Sequence, residues 1–276
     1  MLHLPNKTAH ESSIADKSRE IRSRPDGGVL RKLVQGARLA PSADNNQPWR
    51  FSPRGDGLEV QLVEQRRIKS DPEGILDKAS LGMALENLRL AALEEGLSLI
   101  VEYEGGSGLS DPLVARVNFA PSVGKSELFH YLFLRRTNRE SYRTCLLPTS
   151  ISNELQAAAS GNNAKISEVH DRGTLLKAAA SLAVCDEIRF RYASFHQELY
   201  STIRWSRDDS AKSGDGIWID ALSLPLGGSI LLKALRRWNV CAAAMSFGAN
   251  AALRMVSRKQ IASSGALYMV TSEDRS

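Results

Sequence analysis

Ala37-Arg38-Leu39-Ala40-Pro41-Ser42-Ala43-Asp44-Asn45-Asn46-Gln47-Pro48-Trp49-Arg50-Phe51 is the stretch on which the reading of this chain turns. Its first residues end a helix. Val29, Leu33, Val34 and Ala37 fall on one helical face, and a residue before proline is pushed out of the α conformation, which stops the helix at Ala40. A loop dense in side-chain amides and hydroxyls follows, then a rigid Pro48-Trp49 step into a strand. Pro41 and Pro48 hold φ near roughly −65° on either side of Ser42, Asn45 and Gln47. Two readings of such a loop stand side by side. It presents hydrogen-bonding groups to the polar edge of a planar heterocycle, or it is a connector whose Asn and Ser side chains satisfy turn backbone.

Outward from this stretch, residues 1–28 are a polar arm ending in Pro25-Asp26-Gly27-Gly28. On the other side, Pro53-Arg54-Gly55-Asp56-Gly57 is turn chemistry, and Leu58, Val60 and Leu62 alternate with polar residues, which predicts a β-hairpin. Ser80 to Glu95 reads as a helix with Leu81, Ala84, Leu85, Leu88, Ala91 and Ala92 in one apolar stripe and Gly96 at its C-terminal end. Leu97–Tyr103 and Leu113–Phe119 read as strands joined through Gly105-Gly106-Ser107-Gly108. Ser126 is placed to cap a helix through Phe133, and Thr149 or Ser150 another through Ala158. A long helix is expected over Thr174–Trp205, a polar loop over Ser206–Gly216, helices over Ile230–Trp238 and Ala242–Leu253, and a last strand over Ala266–Val270. The pattern predicts an α+β fold with one mixed sheet.

The 276 residues are 42% hydrophobic and 24% charged, a balance that excludes a disordered or rod-like chain. Apolar runs break before the roughly 18 residues of a membrane helix, and the first thirty residues hold no signal-type apolar region. The reading is therefore a cytoplasmic protein without a membrane partner. Cys145, Cys185 and Cys241 are too scattered for a disulfide framework or a metal site, and the histidines share no ligand spacing. The net charge of +5 is mild. Its clusters at Lys17–Arg24, Gln65–Lys69 and Leu134–Arg143 fit solvated faces and an anionic small-molecule site rather than nucleic acid. Val123-Gly124-Lys125-Ser126 ends like a phosphate loop, but Phe119 stands where its first glycine belongs. No nucleophile elbow supports hydrolysis. Trp205, Trp218 and Trp238 are expected to pack. Arg135-Arg136-Thr137-Asn138-Arg139 offers three guanidinium forks and a hydroxyl, either an anion clamp or a solvated basic helix end.

Three of these segments together resemble the nitroreductase-like flavoproteins. Ala40, Pro41, Ser42, Asn45, Gln47, Pro48 and Trp49 match the family pattern A-P-S-x-x-N-x-Q-P-W. Gly82, Ala84, Asn87-Leu88-Arg89-Leu90-Ala91-Ala92 and Gly96-Leu97 are similar to its central dimer-core helix. Arg135, Thr137 and Arg139 are similar to its R-R-S-x-R-x-F segment. The resemblance implies a mixed sheet wrapped by helices. It implies FMN held by Pro41, Ser42, Asn45 and Gln47, with the phosphate on Arg135, Thr137 and Arg139. It implies electron transfer from NAD(P)H to a nitroaromatic, quinone or similar acceptor, with no catalytic acid or base and no metal. Arg50 is a further candidate beside the flavin, or an exposed strand residue.

The order of the segments, with the arginines after the A-P-S loop, resembles the branch in which two halves are fused in tandem. Its halves here are residues 29–125 and 126–276, the second degenerate because its own loop at Ser160–Ala164 lacks Gln-Pro-Trp. By that template the second half continues past Val270 into another helix. The chain ends at Ser276, so the expectation is a fragment of a longer protein or a truncated member, exposed beyond Leu253 and able to pair as a homodimer. Non-catalytic flavin sequestration, with Ser206–Gly216 as a lid, and a flavin-free interaction module are the competing readings.

Overall fold

The computed structural model describes residues 23–104, 113–161 and 164–272. Most of the polar arm, the Gly105–Gly108 link and Asn162-Asn163 lie outside these residues. The chain divides into two compact units between Arg136 and Thr137.

In the first unit helix α1 (Gly27–Ala37) starts where the arm was expected to end. The Asp26 carboxylate accepts from the N–H groups of Gly28 and Val29 at 2.7 and 2.8 Å, satisfying two donors of the first turn. The helix stops three residues short of Ala40. The Leu39 and Ala40 N–H groups reach back to the Gly36 and Ala37 carbonyls in tighter turns. Strands β1 (Trp49–Arg54) and β2 (Gly57–Leu62) form the expected hairpin, with Trp49 opposite Leu62 and Gly55 at a φ of 55° in the turn.

Helix α2 (Ile75–Glu94) begins five residues before Ser80, and its apolar stripe is buried as expected. Gly96, at a φ of 72°, turns the chain into β3 (Leu97–Tyr103), which pairs antiparallel with β4 (Leu113–Pro121). The four strands stand in the order β1-β2-β4-β3, all antiparallel. Leu33, Val60, Leu88, Val117 and Phe119 form the centre of the core between this sheet and the two helices. Gly36 lets the helices approach: a Cβ there would stand 2.8 Å from the Cβ of Ala91. Ser126 accepts from the Leu128 N–H at 3.2 Å, but the helix it was expected to start is only the turn α3 (Tyr131–Leu134).

The second unit is mainly helical. Helices α4 (Thr149–Ser160) and α5 (Arg172–Arg191) flank β5 (Ala164–Val169), a strand that the sequence reading did not anticipate. The long helix expected over Thr174–Trp205 breaks at Tyr192, whose backbone is extended, and resumes as α6 (Ala193–Thr202) before β6 (Ile203–Arg204). The expected loop at Ser206–Gly216 holds helix α7 (Arg207–Ser213). The Ser206 hydroxyl accepts from the Asp209 N–H at its start, and Gly214, at a φ of 65°, ends it.

Strand β7 (Ile217–Trp218), α8 (Gly228–Ala234), α9 (Trp238–Ser246) and α10 (Asn250–Ala262) follow, with β8 (Leu267–Ser272) pairing antiparallel to β5. The break between α9 and α10 falls at Gly248, whose φ is 92°. Trp205, Trp218 and Trp238 pack against a core of Phe190, Ile203, Leu232 and Cys241. Beyond Leu253, α10 runs along α5, and Met255, Met269 and Val270 are exposed. Instead of one mixed sheet, the described residues form a four-stranded antiparallel sheet and two separate strand pairs, β5 with β8 and β6 parallel to β7. The class is α+β. None of the described helices is long and apolar enough to cross a membrane.

Candidate functional site

The segment from Pro41 to Trp49 folds into a single 3₁₀ turn (Ala43–Asn45) and a strained exit. Asp44, Asn45 and Gln47 have φ values of 48°, 55° and 46°, the left-handed region that ordinarily belongs to glycine. Asn and Asp tolerate it through their short polar side chains; Gln does so less readily. Departures of this kind persist only where surrounding contacts hold them, and they gather at ligand sites.

The contacts here are specific. The Ser42 Oγ accepts from the Gln47 N–H at 3.0 Å, closing the loop on itself. The Gln47 carbonyl accepts from Arg66 Nη1 at 3.2 Å, and the Pro48 carbonyl from the Val63 N–H at 2.9 Å. Asn46 is buried, and its Nδ2 donates to the Arg66 carbonyl at 2.7 Å and to Asp77 Oδ1 at 3.2 Å. Its Oδ1 is buried with no hydrogen-bond partner among the described residues. Asp77 is fully buried on α2, and its second oxygen accepts from Arg67 Nε at 3.4 Å. Burial raises the Asp77 pKa; the Asn46 and Arg67 contacts work in the opposite direction.

Pro41, Ser42 and Asn45 are half-buried and Gln47 is buried. Arg135 belongs to the same unit. Its Nη2 donates to the Leu39 carbonyl at 3.4 Å across a separation of 96 residues, at the base of the loop. The guanidinium is exposed and makes no other hydrogen bond or ion pair among the described residues. Thr137 and Arg139 fall in the second unit, Thr137 exposed and Arg139 half-buried. Between them, the carbonyl of Asn138 accepts from Gln260 Nε2 at 3.2 Å, and beyond them the Tyr142 N–H donates to Ser263 Oγ at 2.9 Å. Arg50 is an exposed residue of β1.

The structure therefore brings Pro41, Ser42, Asn45, Gln47 and Arg135 into one unit. It adds Asn46, Arg66, Arg67 and Asp77, which sequence reasoning did not single out. One signal for Asp77 was present. It lies one helical turn before Leu81, on the apolar face of α2, where an unpaired carboxylate is not expected. In kind, the donor set fits a phosphorylated heterocycle. A loop of amides and a hydroxyl suits a ring's polar edge, and the guanidinium at its base has N–H groups to spare for a phosphate. Among the described residues, no cluster of three or more His, Cys, Asp or Glu is placed to hold a metal ion.

No family profile matches the chain. It is 28% identical over 242 residues to an uncharacterized protein, MT1398, of Mycobacterium tuberculosis (strain CDC 1551 / Oshkosh), a match that covers 86% of this chain and 33% of that protein. It is 27% identical over 203 residues to a protein of Serratia sp. (strain ATCC 39006) named "Probable NAD(P)H nitroreductase PigM", covering 67% of this chain and 54% of the relative. A third relative, M. tuberculosis acg, is also named provisionally as an NAD(P)H nitroreductase. It is 26% identical over 178 residues, covering 62% of this chain and 53% of the relative. The chain thus spans between a third and about half the length of these relatives. As distant relatives they support a nitroreductase-like family.

Proposed function

We propose that this chain is an FMN-dependent oxidoreductase that passes electrons from NAD(P)H to a nitroaromatic, quinone or similar acceptor. The observation that carries this reading is the strained Ser42–Gln47 loop with the exposed Arg135 guanidinium at its base. The names of two of the relatives support a general oxidoreductase role.

On this reading the residues bind and orient. The Ser42 Oγ already accepts from the Gln47 N–H, so its own proton is available to donate to a ring carbonyl or nitrogen. Pro41 keeps the backbone before Ser42 stiff, and Asn45 and Gln47 supply amides to the same edge. Arg135 holds the phosphate through charge-assisted bonds. Bound FMN supplies hydride acceptance and onward electron transfer. The chain itself fixes the ring's position and excludes water from one face, with no side chain acting as acid or base.

The test is the visible spectrum of the purified chain before and after addition of FMN, followed by NADPH oxidation with a quinone present. Perturbed flavin bands and quinone-dependent turnover are expected. Flavin bound without turnover would convert the reading to a flavin-sequestering protein, and absence of binding to either FMN or riboflavin would refute it.

A further inference from the structure

The loop from Asp44 to Gln47 is held partly by its own bonds to Ser42 and Ala43 and partly from outside. Three of its residues sit at positive φ without being glycine, and Asn46 buries an amide oxygen that nothing among the described residues satisfies. Each feature costs stability, so contacts elsewhere must hold this conformation. Contacts of Asn46 and Gln47 run to one place. Asn46 reaches the Arg66 backbone while the Arg66 side chain returns to the Gln47 backbone, a reciprocal tie between the loop and the turn after β2. Asp77, from α2, bonds Asn46 with one oxygen and Arg67 with the other. Its carboxylate touches both the loop and the turn. Of the Arg67 partners, Glu64 is surface-exposed, whereas Asp77 is buried.

We propose that Asp77, in its ionised form, is the positioning residue that holds the Asp44–Gln47 loop in its ligand-binding shape, so that ligand affinity at the loop falls as Asp77 takes up a proton. The proposal rests on the flavin reading for the identity of the ligand, but not for the behaviour of the loop. A carboxylate can accept from Asn46 Nδ2 and Arg67 Nε together. A carboxylic acid gives up the ion pair with Arg67 and turns one accepting oxygen into a donor facing the Asn46 and Arg67 N–H groups.

The charged groups acting on Asp77 are Arg67, bonded to it, and Asp71, whose negative charge acts in the same direction as burial and against ionisation. Glu64 acts through its own bonds to Arg67. Burial is the largest influence and raises the pKa, which brings protonation closer to the working range. The linkage has a distinctive sign. A folded-state pKa above the unfolded value means that protonation favours the folded chain, so Asp77 itself contributes stability at low pH and loses it as pH rises. Affinity at the loop and the Asp77 contribution to stability therefore move in opposite directions with pH. In the second unit Glu187 is also a buried carboxylate, but Arg191 and Arg254 both pair with it and no strained loop depends on it.

The experiment measures riboflavin and FMN dissociation constants, thermal midpoint and amide hydrogen exchange for the chain and for Asp77→Asn, titrated downward from neutral pH. In Asp77→Asn both flavins are expected to bind about tenfold more weakly, by the same factor, because the loop and not the phosphate contact has changed. The Gln47 amide, donated to Ser42 Oγ, is expected to exchange about tenfold faster relative to amides of α2. In the unsubstituted chain affinity should fall toward acid pH while the Asp77-dependent part of the thermal midpoint does not fall with it; in Asp77→Asn affinity should be flat over that range. Should Asp77→Asn fail to fold, Arg67→Met serves instead. Removing the cation moves the midpoint of the affinity profile to higher pH. Unchanged flavin affinity and unchanged Gln47 exchange in Asp77→Asn overturn the proposal, as does no shift in the profile of Arg67→Met. Failure of the unsubstituted chain to bind either flavin refutes the flavin reading alone, and the exchange measurement then decides the role of Asp77.

Discussion

Replacing Arg135 by alanine separates a phosphate contact from a loop contact. In the structure the Arg135 guanidinium spends one N–H on the Leu39 carbonyl, at 3.4 Å, and leaves the others available. A phosphate taken bidentately would gain two charge-assisted bonds, each worth about 1.5–3 kcal/mol. Arg135 is exposed, which places each bond at the lower end of that range, so the pair is worth ~3 kcal/mol, or roughly a 150-fold change in affinity. The lost Leu39 bond is long and solvent-exposed, and its removal should shift stability by no more than about 0.5 kcal/mol. Titration of FMN followed by quenching of its fluorescence, with riboflavin as the phosphate-free control, reads the effect. FMN affinity should fall roughly 150-fold and riboflavin affinity should hold. The FMN advantage over riboflavin in the unsubstituted chain should also shrink with added salt. Equal losses for both flavins, or no loss for FMN, would refute the assignment of Arg135 to the phosphate. Thr137→Ala and Arg139→Ala, measured the same way, assign or remove their own shares.

Two further predictions concern the scaffold under the loop. Gly36→Ala places a methyl 2.8 Å from the Ala91 Cβ and should force α1 from α2 at a cost of about 1–3 kcal/mol, read by urea unfolding. The double substitution with Ala91→Gly should recover most of it, and a single variant as stable as the parent would show that the helices have room. Asp26→Ala removes the cap of α1 and should lower the thermal midpoint. The Val29 and Gly28 N–H groups hold the Asp26 pKa below its usual value. Its contribution is present above the ordinary carboxylate range and is lost as pH falls through the depressed value. The midpoint gap between the chain and Asp26→Ala should therefore close on acidification, and a gap independent of pH would remove Asp26 from that role.

The sequence by itself determined the elements whose causes are local. The hairpin follows from alternation and the turn chemistry of Pro53–Gly57, α2 from its apolar stripe, and the presence, though not the shape, of a polar loop after α1 from two prolines and a run of amides. The candidates Pro41, Ser42, Asn45 and Gln47 came from a motif whose residues are neighbours in the chain. Only the tertiary structure decided what depends on distant partners. The β5 strand carries polar Lys165, Ser167 and Glu168 among its six residues and gains its identity from β8, more than ninety residues on, with Ile166 opposite Val270. Helices α5 and α6 form one unbroken run of helix-forming residues whose break at Tyr192 no proline or glycine announces. Arg135 reaches Leu39, and Asp77 reaches Asn46 and Arg67, through the packing of α1, α2 and the sheet. A carboxylate on an apolar helix face states that a partner must exist, because an unpaired buried charge is too costly to keep. It does not state which residue that partner is, since only the fold brings separated parts of the chain within hydrogen-bond reach.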